Sequence, residues 1–466
     1  MPRGVLMLPG AGRIKMYKKR MAGVKVPHRK NTAAMAPERI PLPEQVVIPM
    51  SMHIGAPAKP LVNVGDEVKV GQIIAEEGGF VSAPIHASVA GKVTKIDTVL
   101  TSSGRYMPAI TVKTSPEQPV DENIKPIQVT NKEDFLKAVN DSGVVGLGGA
   151  GFPTRVKLTV KTKVDYVLVN GAECEPYITS DTRTMLDKAD LVMEGIELLK
   201  RYLQPQNVVI GIEDNKPDCI ELYKKRCSKL TDVDCVALPS LYPQGGEKVL
   251  IHNITGRVVP AGKLPIDVGC VVINCTTLAA IANYVKTGMP LIEKTVTVDG
   301  SAVANPKNVI APIGTLMKDV FEYCGGFKEE PGKVLYGGPM MGIAVPDLEQ
   351  PIMKNTNAII ALNKKDGKVP EPTNCIHCGR CTAVCPLHIT PFAIERAFKT
   401  EDDEALVKLE VMNCMECGCC SFSCPAKRPL VQVNKLAKMR VKAYQTRLEA
   451  EKKAAAEAAG NGEVKQ

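Results

Sequence analysis

The chain has 466 residues, of which 44% are hydrophobic and 23% charged, a size and balance that exclude a disulfide-stapled peptide and a largely disordered chain. At roughly 150 residues per domain the length predicts about three domains. The formal charge of +9 is concentrated at one end: residues 1–37 hold Arg3, Arg13, Lys15, Lys18, Lys19, Arg20, Lys25, Arg29 and Lys30 and no acid, and the rest of the chain is balanced. Such an arm suits an anionic membrane surface or an acidic partner, or is a solvated tail. Its apolar run at 5–9 is too short for a secretory signal, and without a basic stripe on a folded domain nucleic-acid binding has no support. The longest uncharged stretch, 268–285, is interrupted by Asn274, Thr276, Thr277 and Asn283, so no membrane-spanning helix is expected.

Residues 62–74 and 82–93 alternate apolar side chains around Gly65, Gly71 and Gly91, the pattern of short strands, and resemble a biotinyl/lipoyl-type barrel-sandwich. The region where such a domain would present its modifiable lysine reads Ile85-His86-Ala87-Ser88, which predicts a structural or docking module and no carrier. A helical pattern over 132–140 then leads into five glycines within nine residues: Gly143, Gly146, Gly148, Gly149 and Gly151, followed by Phe152-Pro153-Thr154 and Lys157. Bare backbone at such a stretch can approach a phosphate or a flat ring. Although Gly146, Gly148 and Gly151 satisfy G-x-G-x-x-G, a helix where a strand should precede them argues against a dinucleotide fingerprint of the Rossmann type. Apolar runs at 166–169, 208–212, 235–238 and 268–273 alternate with helical stretches at 185–202, 217–230, 247–254 and 277–285, which predicts an α/β sheet covered by helices. Ligands usually bind in loops at the carboxyl ends of such strands. Those loops carry Asn170, Glu173 and Glu175, then Gly246 and Glu247, then Asn274 and Thr277. Residues 294–299, 314–326 and 334–345 suggest strands around one helix.

Nine of the 16 cysteines fall between 375 and 424, ordinary for metal ligation in a reducing compartment and odd for a disulfide framework. Cys375, Cys378, Cys381 and Cys385 form a C-x2-C-x2-C-x3-C-P run, and Cys414, Cys417, Cys420 and Cys424 repeat it. In such paired motifs three thiolates grip one cubane and the fourth ligates the other cluster. Cys375, Cys378, Cys381 and Cys424 are therefore expected to hold one [4Fe–4S] cluster, and Cys414, Cys417, Cys420 and Cys385 the other. Zinc sites are usually separate, four-coordinate and without the C-x3-C-P ending. Cys419 breaks the repeat and is read as a non-ligand. Helical patterns at 391–399 and 403–412 separate the motifs, and the tail at 448–466 is expected to be mobile.

The glycine segment, Asn170, Glu173, Glu175, Gly246, Glu247, Asn274 and Thr277 together resemble, in the same order, the flavin- and NADH-binding subunit of respiratory complex I. With Pro27-His28-Arg29-Lys30, residues 53–57, residues 336–342 and both cysteine motifs added, the chain is similar over about residues 20–440 to the RnfC family of Rnf-type ferredoxin:NAD oxidoreductase complexes. One departure is Ala22-Gly23-Val24-Lys25, where the family usually carries a histidine. The resemblance implies a complex I flavoprotein-like α/β core with an N-terminal barrel-sandwich hybrid, a small β-grasp domain and a C-terminal α-helical double [4Fe–4S] ferredoxin-like domain. The divisions would fall at 1–37 (arm), 38–115, 130–290, 291–348, 370–440 and 441–466 (tail). It implies non-covalent FMN, NAD(H) and two [4Fe–4S] clusters. Gly146, Gly148, Gly149 and Gly151 would form the loop against FMN, with Lys157 near flavin or nucleotide phosphates. Asn170 and Glu173 would hold the ring and ribityl region, and Asn274 and Thr277 would lie on the phosphate side. Phe152 would stack near the nicotinamide and Glu175 would reach NADH; Glu247 is the weaker transfer, because Lys248 follows it. The implied setting is peripheral, on the cytoplasmic face of the cell membrane beside membrane subunits and a ferredoxin-type subunit, with ferredoxin reached indirectly. Two other roles fit the same residues: a soluble relative feeding another reductase, of the kind associated with proline reductase, and a non-catalytic iron–sulfur relay or scaffold.

Overall fold

A computed structural model describes residues 21–101 and 104–462. At its centre four strands, Val233–Leu238, Asn207–Glu213, Tyr166–Gly171 and Cys270–Asn274, lie parallel in that order. They are nearly continuous apolar runs because both faces are covered, as parallel sheets require. Val167, Val169, Val208 and Ile210 pack on one side against Phe135, Ile196 and Tyr223. The alternate residues Leu168, Val209, Val236 and Val272 pack on the other against Leu250, Ile251 and Ile254. Chain order reverses between Tyr166–Gly171 and Cys270–Asn274, and at this switch point Asn170 and Asn274 sit side by side at the strand ends. Helix Lys132–Asp141, capped by Asn131, precedes the glycine segment, and a short helix, Thr154–Leu158, follows it. That order matches the expectation against a Rossmann fingerprint.

Ahead of this core, a four-stranded sheet (Gln45–Pro49, Tyr106–Thr114, Gly91–Leu100, Glu67–Val68) faces a three-stranded one (Lys59–Pro60, Ile73–Glu76, Ile85–His86). Val46, Ile48, Ile74, Ile85 and Ile110 fill the space between them. The hairpin that would carry a prosthetic lysine is buried, and Ser88 donates to the Ile313 carbonyl at 2.5 Å. Ile313 follows strand Lys307–Pro312 of a second, six-stranded sheet, so this module is docked at that place.

Three boundaries differ from the sequence reading. The six-stranded sheet includes Ala358–Asn363, beyond 348, and Glu38–Arg39, which pairs with Val309 and Ile310. Residues 1–20 lie outside the described part, but residues 21–37 are not a solvated arm: Val24 and Val26 are buried, and Val24 pairs with Tyr242. Counting charges hid these two valines. At the other end, helix Leu430–Gly462 continues through the stretch read as a mobile tail, with its Val441 buried against Ile394 and Leu406. Residues 463–466 lie outside the described part.

Lys354 ties two of these parts together. It is wholly buried, and its Nζ donates to the Pro84 carbonyl in the barrel-sandwich (2.6 Å) and to the Gly143 carbonyl at the start of the glycine segment (2.8 Å). Burial pushes its pKa down to about 7 from 10.5. Between those values the unfolded chain binds the proton that the folded chain does not, so stability increases with pH across that window. Compared with Lys354→Met, the unmodified chain should gain up to about 1.4 kcal/mol per pH unit above pH 7. Denaturant unfolding at pH 7 and 9 checks this, and a pH-independent difference would refute it.

Candidate functional site

A cavity of about 1360 Å³ opens over the switch point. Of the residues singled out in the sequence, Gly146, Gly148, Gly149, Phe152, Lys157, Asn170, Glu173, Glu175, Glu247, Asn274 and Thr277 line it. Gly151 does not. Its φ of +66° serves the turn, its carbonyl accepts from Ile54 N at 3.0 Å, and a Cβ there would press on Asn355 at 3.2 Å. Gly149 is different: φ is +118° and a Cβ would meet nothing within 4 Å, so bare backbone borders open space. A flat ring or a phosphate can approach such a cradle closely.

The polar wall residues are engaged with one another. The Glu173 carboxylate caps helix Ser180–Asp187, accepting from Asp181 N (2.7 Å), Thr182 N (3.3 Å) and Thr182 Oγ1 (2.7 Å). Asn274 Oδ1 caps helix Cys275–Thr287 at Thr276 N and Thr277 N, and its Nδ2 donates to Asp181 Oδ2 at 2.7 Å. Thr277 Oγ1 accepts from Leu147 N at 3.0 Å, holding the glycine loop to that helix. Asn170 Nδ2 donates to the Gly245 carbonyl (2.9 Å), and Lys157 pairs with Glu247 (2.7 Å) and donates to the Val272 carbonyl (3.1 Å). Glu175 accepts from Met340 N (3.0 Å) and Met341 N (2.7 Å), latching the loop at 337–342 over the cavity. Burial raises its pKa to about 7 against the pull of those two amides.

Three contributors carried no local signal. Lys30, from the basic segment, is half-buried, with its Nζ donating to the carbonyls of Glu173, Glu175 and Ile178 at 2.8, 2.8 and 2.5 Å, which fixes the loop bearing both acids. Burial pushes its pKa down. Asp181, a buried residue of the cavity wall, joins Asn274 to Thr276. Lys294, lowered to about 8 by burial beside Asp181, donates to the Leu147 carbonyl at 3.3 Å. Only the Asn274–Thr277 pattern, an N-cap ahead of a helix, hinted at this network.

The eight motif cysteines surround two further small cavities. Cys375, Cys378, Cys381 and Cys424 line one; Cys385, Cys414, Cys417 and Cys420 line the other, with Cys419 alongside. Each set takes three thiols from one motif and one from the other, and four converging thiols suit a cubane. Tight turns place them: Gly379 and Gly418 adopt φ of +71° and +80° just ahead of helices Arg380–Ala383 and Cys419–Ser423. The helical stretch at 403–412 resolves into Asp403–Lys408 and a 3₁₀ turn, Val411–Asn413.

Met415 lines both the large cavity and the cavity of Cys414. Tyr242, also in the large cavity, donates from its hydroxyl to the Cys417 carbonyl at 2.7 Å, and Cys419 Sγ donates back to the Tyr242 carbonyl at 3.8 Å. Val24, Val26, Met340 and Met415 pack around that junction. At the other cavity Cys378 is exposed and Cys375 half-buried.

Comparison with known families matches residues 139–283 to the Nuo51 FMN-binding domain, 18–117 to the RnfC barrel sandwich hybrid domain, 295–344 to the SLBB domain and 368–454 to a 4Fe-4S dicluster domain. The chain is 45% identical over 371 residues to the C subunit of the proton-translocating ferredoxin:NAD(+) oxidoreductase complex of Clostridium ljungdahlii, covering 78% of this chain and 80% of that one. It is 43% identical over 378 residues to the Na(+)-translocating counterpart of Acetobacterium woodii, covering 80% and 85%. Among solved structures it is similar to a chain of an NAD+-reducing [NiFe]-hydrogenase in the H2-reduced state, with TM-score 0.46 and 18% identity, covering 67% and 62%.

Proposed function

Because the chain belongs to the family of C subunits of ion-translocating ferredoxin:NAD(+) oxidoreductases, we propose that it is the part of such a complex where NAD(H) exchanges electrons. FMN, NAD(H) and two [4Fe–4S] clusters are its cofactors. When bound, FMN accepts a hydride as an electron pair and the clusters carry electrons singly.

The observation that carries the reading is the shared wall at Met415, which puts the glycine-lined cavity against the thiols of Cys385, Cys414, Cys417 and Cys420. Gly146, Gly148 and Gly149 would border the flavin, with Phe152 beside the nicotinamide. Lys157 and the N-terminus of helix Cys275–Thr287 supply positive potential for phosphate. Glu173, Asp181, Asn170 and Lys30 act one step back, holding the wall to shape. Glu175 closes the cavity through the loop at 337–342, which keeps water from the reacting atoms. Tyr242 and Met415 fill the junction between the cavities. No side chain is needed as an acid or base. The set of Cys414 lies nearer the flavin, and the set of Cys375, open to the surface at Cys378, is the outlet toward a partner.

No helix among the described residues is long and apolar enough to cross a membrane. We therefore assign ion movement to partner subunits, and place this chain on the cytoplasmic face beside them and a ferredoxin-type subunit.

The test is anaerobic purification, quantification of iron, sulfide and FMN, and addition of NADH. Two clusters and one FMN that bleach rapidly are the expected result. Two clusters without flavin or response to NADH would leave only an electron relay.

A further inference from the structure

Building on that reading, in which Cys385, Cys414, Cys417 and Cys420 hold the flavin-side cluster, we propose that Asn434 is a positioning residue that sets this cluster's reduction potential. Asn434 lies on helix Leu430–Gly462, is 1% exposed, and lines the cavity of these four cysteines. Its Nδ2 donates to Cys414 Sγ at 3.4 Å, whereas its Oδ1 is buried with no hydrogen-bond partner among the described residues. Turning the amide over would aim the carbonyl oxygen at the thiolate and bury both N–H groups instead, so the observed orientation is the favourable one.

A half-satisfied amide is a poor choice for packing. The neighbouring seam is apolar, built from Ile394, Leu406, Val411, Ala437 and Val441, and a leucine would leave no orphaned oxygen there. What the amide adds is a hydrogen bond to a cluster sulfur. Each electron entering a [4Fe–4S] core adds negative charge to its sulfurs, and an N–H aimed at one of them stabilises the reduced form more than the oxidised form. One turn further along, Lys438 donates to the Cys414 carbonyl (3.0 Å) but also pairs with Glu416 (2.6 Å), so its charge is largely matched. Asn434 is thus the uncharged donor specific to this cluster, and the set of Cys375, whose cavity it does not line, is an internal reference.

The experiment is an EPR-monitored redox titration of the full chain carrying both clusters. Asn434→Leu should lower the reduction equilibrium constant of one cluster about tenfold, which for one electron is about 59 mV, and leave the other where it was. Asn434→Asp, which puts an acceptor against the sulfur, should lower it further. Iron content unchanged with neither potential moved would overturn the proposal, as would loss of a cluster in both variants, since Asn434 would then build the site and not tune it. The underlying ligand assignment fails separately: Cys414→Ala must remove one titrating component, and if both survive, that assignment is wrong whatever Asn434 does.

Discussion

Replacing Cys385 with alanine should remove the cluster of the second motif and leave that of the first. Cys385 belongs to the first motif by sequence, yet its thiol faces the cavity of Cys414, Cys417 and Cys420. A [4Fe–4S] core held by three thiolates leaves one iron without its sulfur ligand, and alanine brings no donor to replace it. Cys419 is close, but its sulfur is turned to the Tyr242 carbonyl. The spectra of Cys385→Ala should therefore match those of Cys417→Ala, and those of Cys424→Ala should match Cys378→Ala. In Cys385→Ala, NADH should still bleach the flavin while the surviving cluster stays oxidised on that timescale, because the link beside Met415 is gone. A Cys385→Ala spectrum resembling Cys378→Ala would mean that each motif binds its own cluster.

Glu173→Ala should cost roughly 3 kcal/mol of stability and weaken FMN binding at least about tenfold. Its carboxylate satisfies two backbone amides and a hydroxyl at the start of helix Ser180–Asp187, all buried, and each donor left without a partner carries a penalty of about 1–3 kcal/mol. Once that helix start loosens, Asp181 no longer fixes Asn274, and Asn274 caps the helix that Thr277 ties to the glycine loop. The flavin loses its wall through that chain of contacts. Denaturant unfolding together with a fluorescence titration of FMN reads both effects. If binding weakens while stability is untouched, Glu173 touches the flavin directly and its capping role is incidental.

These two residues also show what could be read from the chain itself. The thiol pairing follows from the geometry of a cubane, which is local and covalent, so spacing was enough to suggest it. The alternating strands were legible because a sheet covered on both faces needs long apolar runs, and the helix Pro391–Lys399 matches its periodicity at both ends. The wall of the cavity was legible as a set of residues but not as a set of roles. Glu173, Glu175, Asn170 and Asn274 read as groups that would touch ligand, whereas their hydrogen bonds run to groups elsewhere in the fold. Such partners are set by tertiary packing and leave no periodicity. Gly151 is the converse, a glycine demanded by a turn and set apart from the cavity wall. Lys30 and Asn434 act across more than a hundred residues and across the helix seam respectively, and the basic residues around Lys30 made it look like surface.

The stretch from Val24 to Arg39 reaches the loop of Glu173, the second cysteine motif and the six-stranded sheet. Val24 and Val26 pack beside Cys417 and Cys419, Lys30 holds the loop of Glu173, and Glu38–Arg39 closes an edge of the six-stranded sheet. Val24 and Val26 meet partners nearly four hundred positions further along the chain, whereas the carbonyls that hold Lys30 lie at 173–178. Contacts of such separation close late, so the junction beside Cys417 and Cys419 can form only after the second cysteine motif has been made. Lys30 can be satisfied once residues 173–178 are present and Val24 can pair with Tyr242, but the apolar faces that Val24 and Val26 turn to Cys417 and Cys419 stay uncovered until those cysteines arrive.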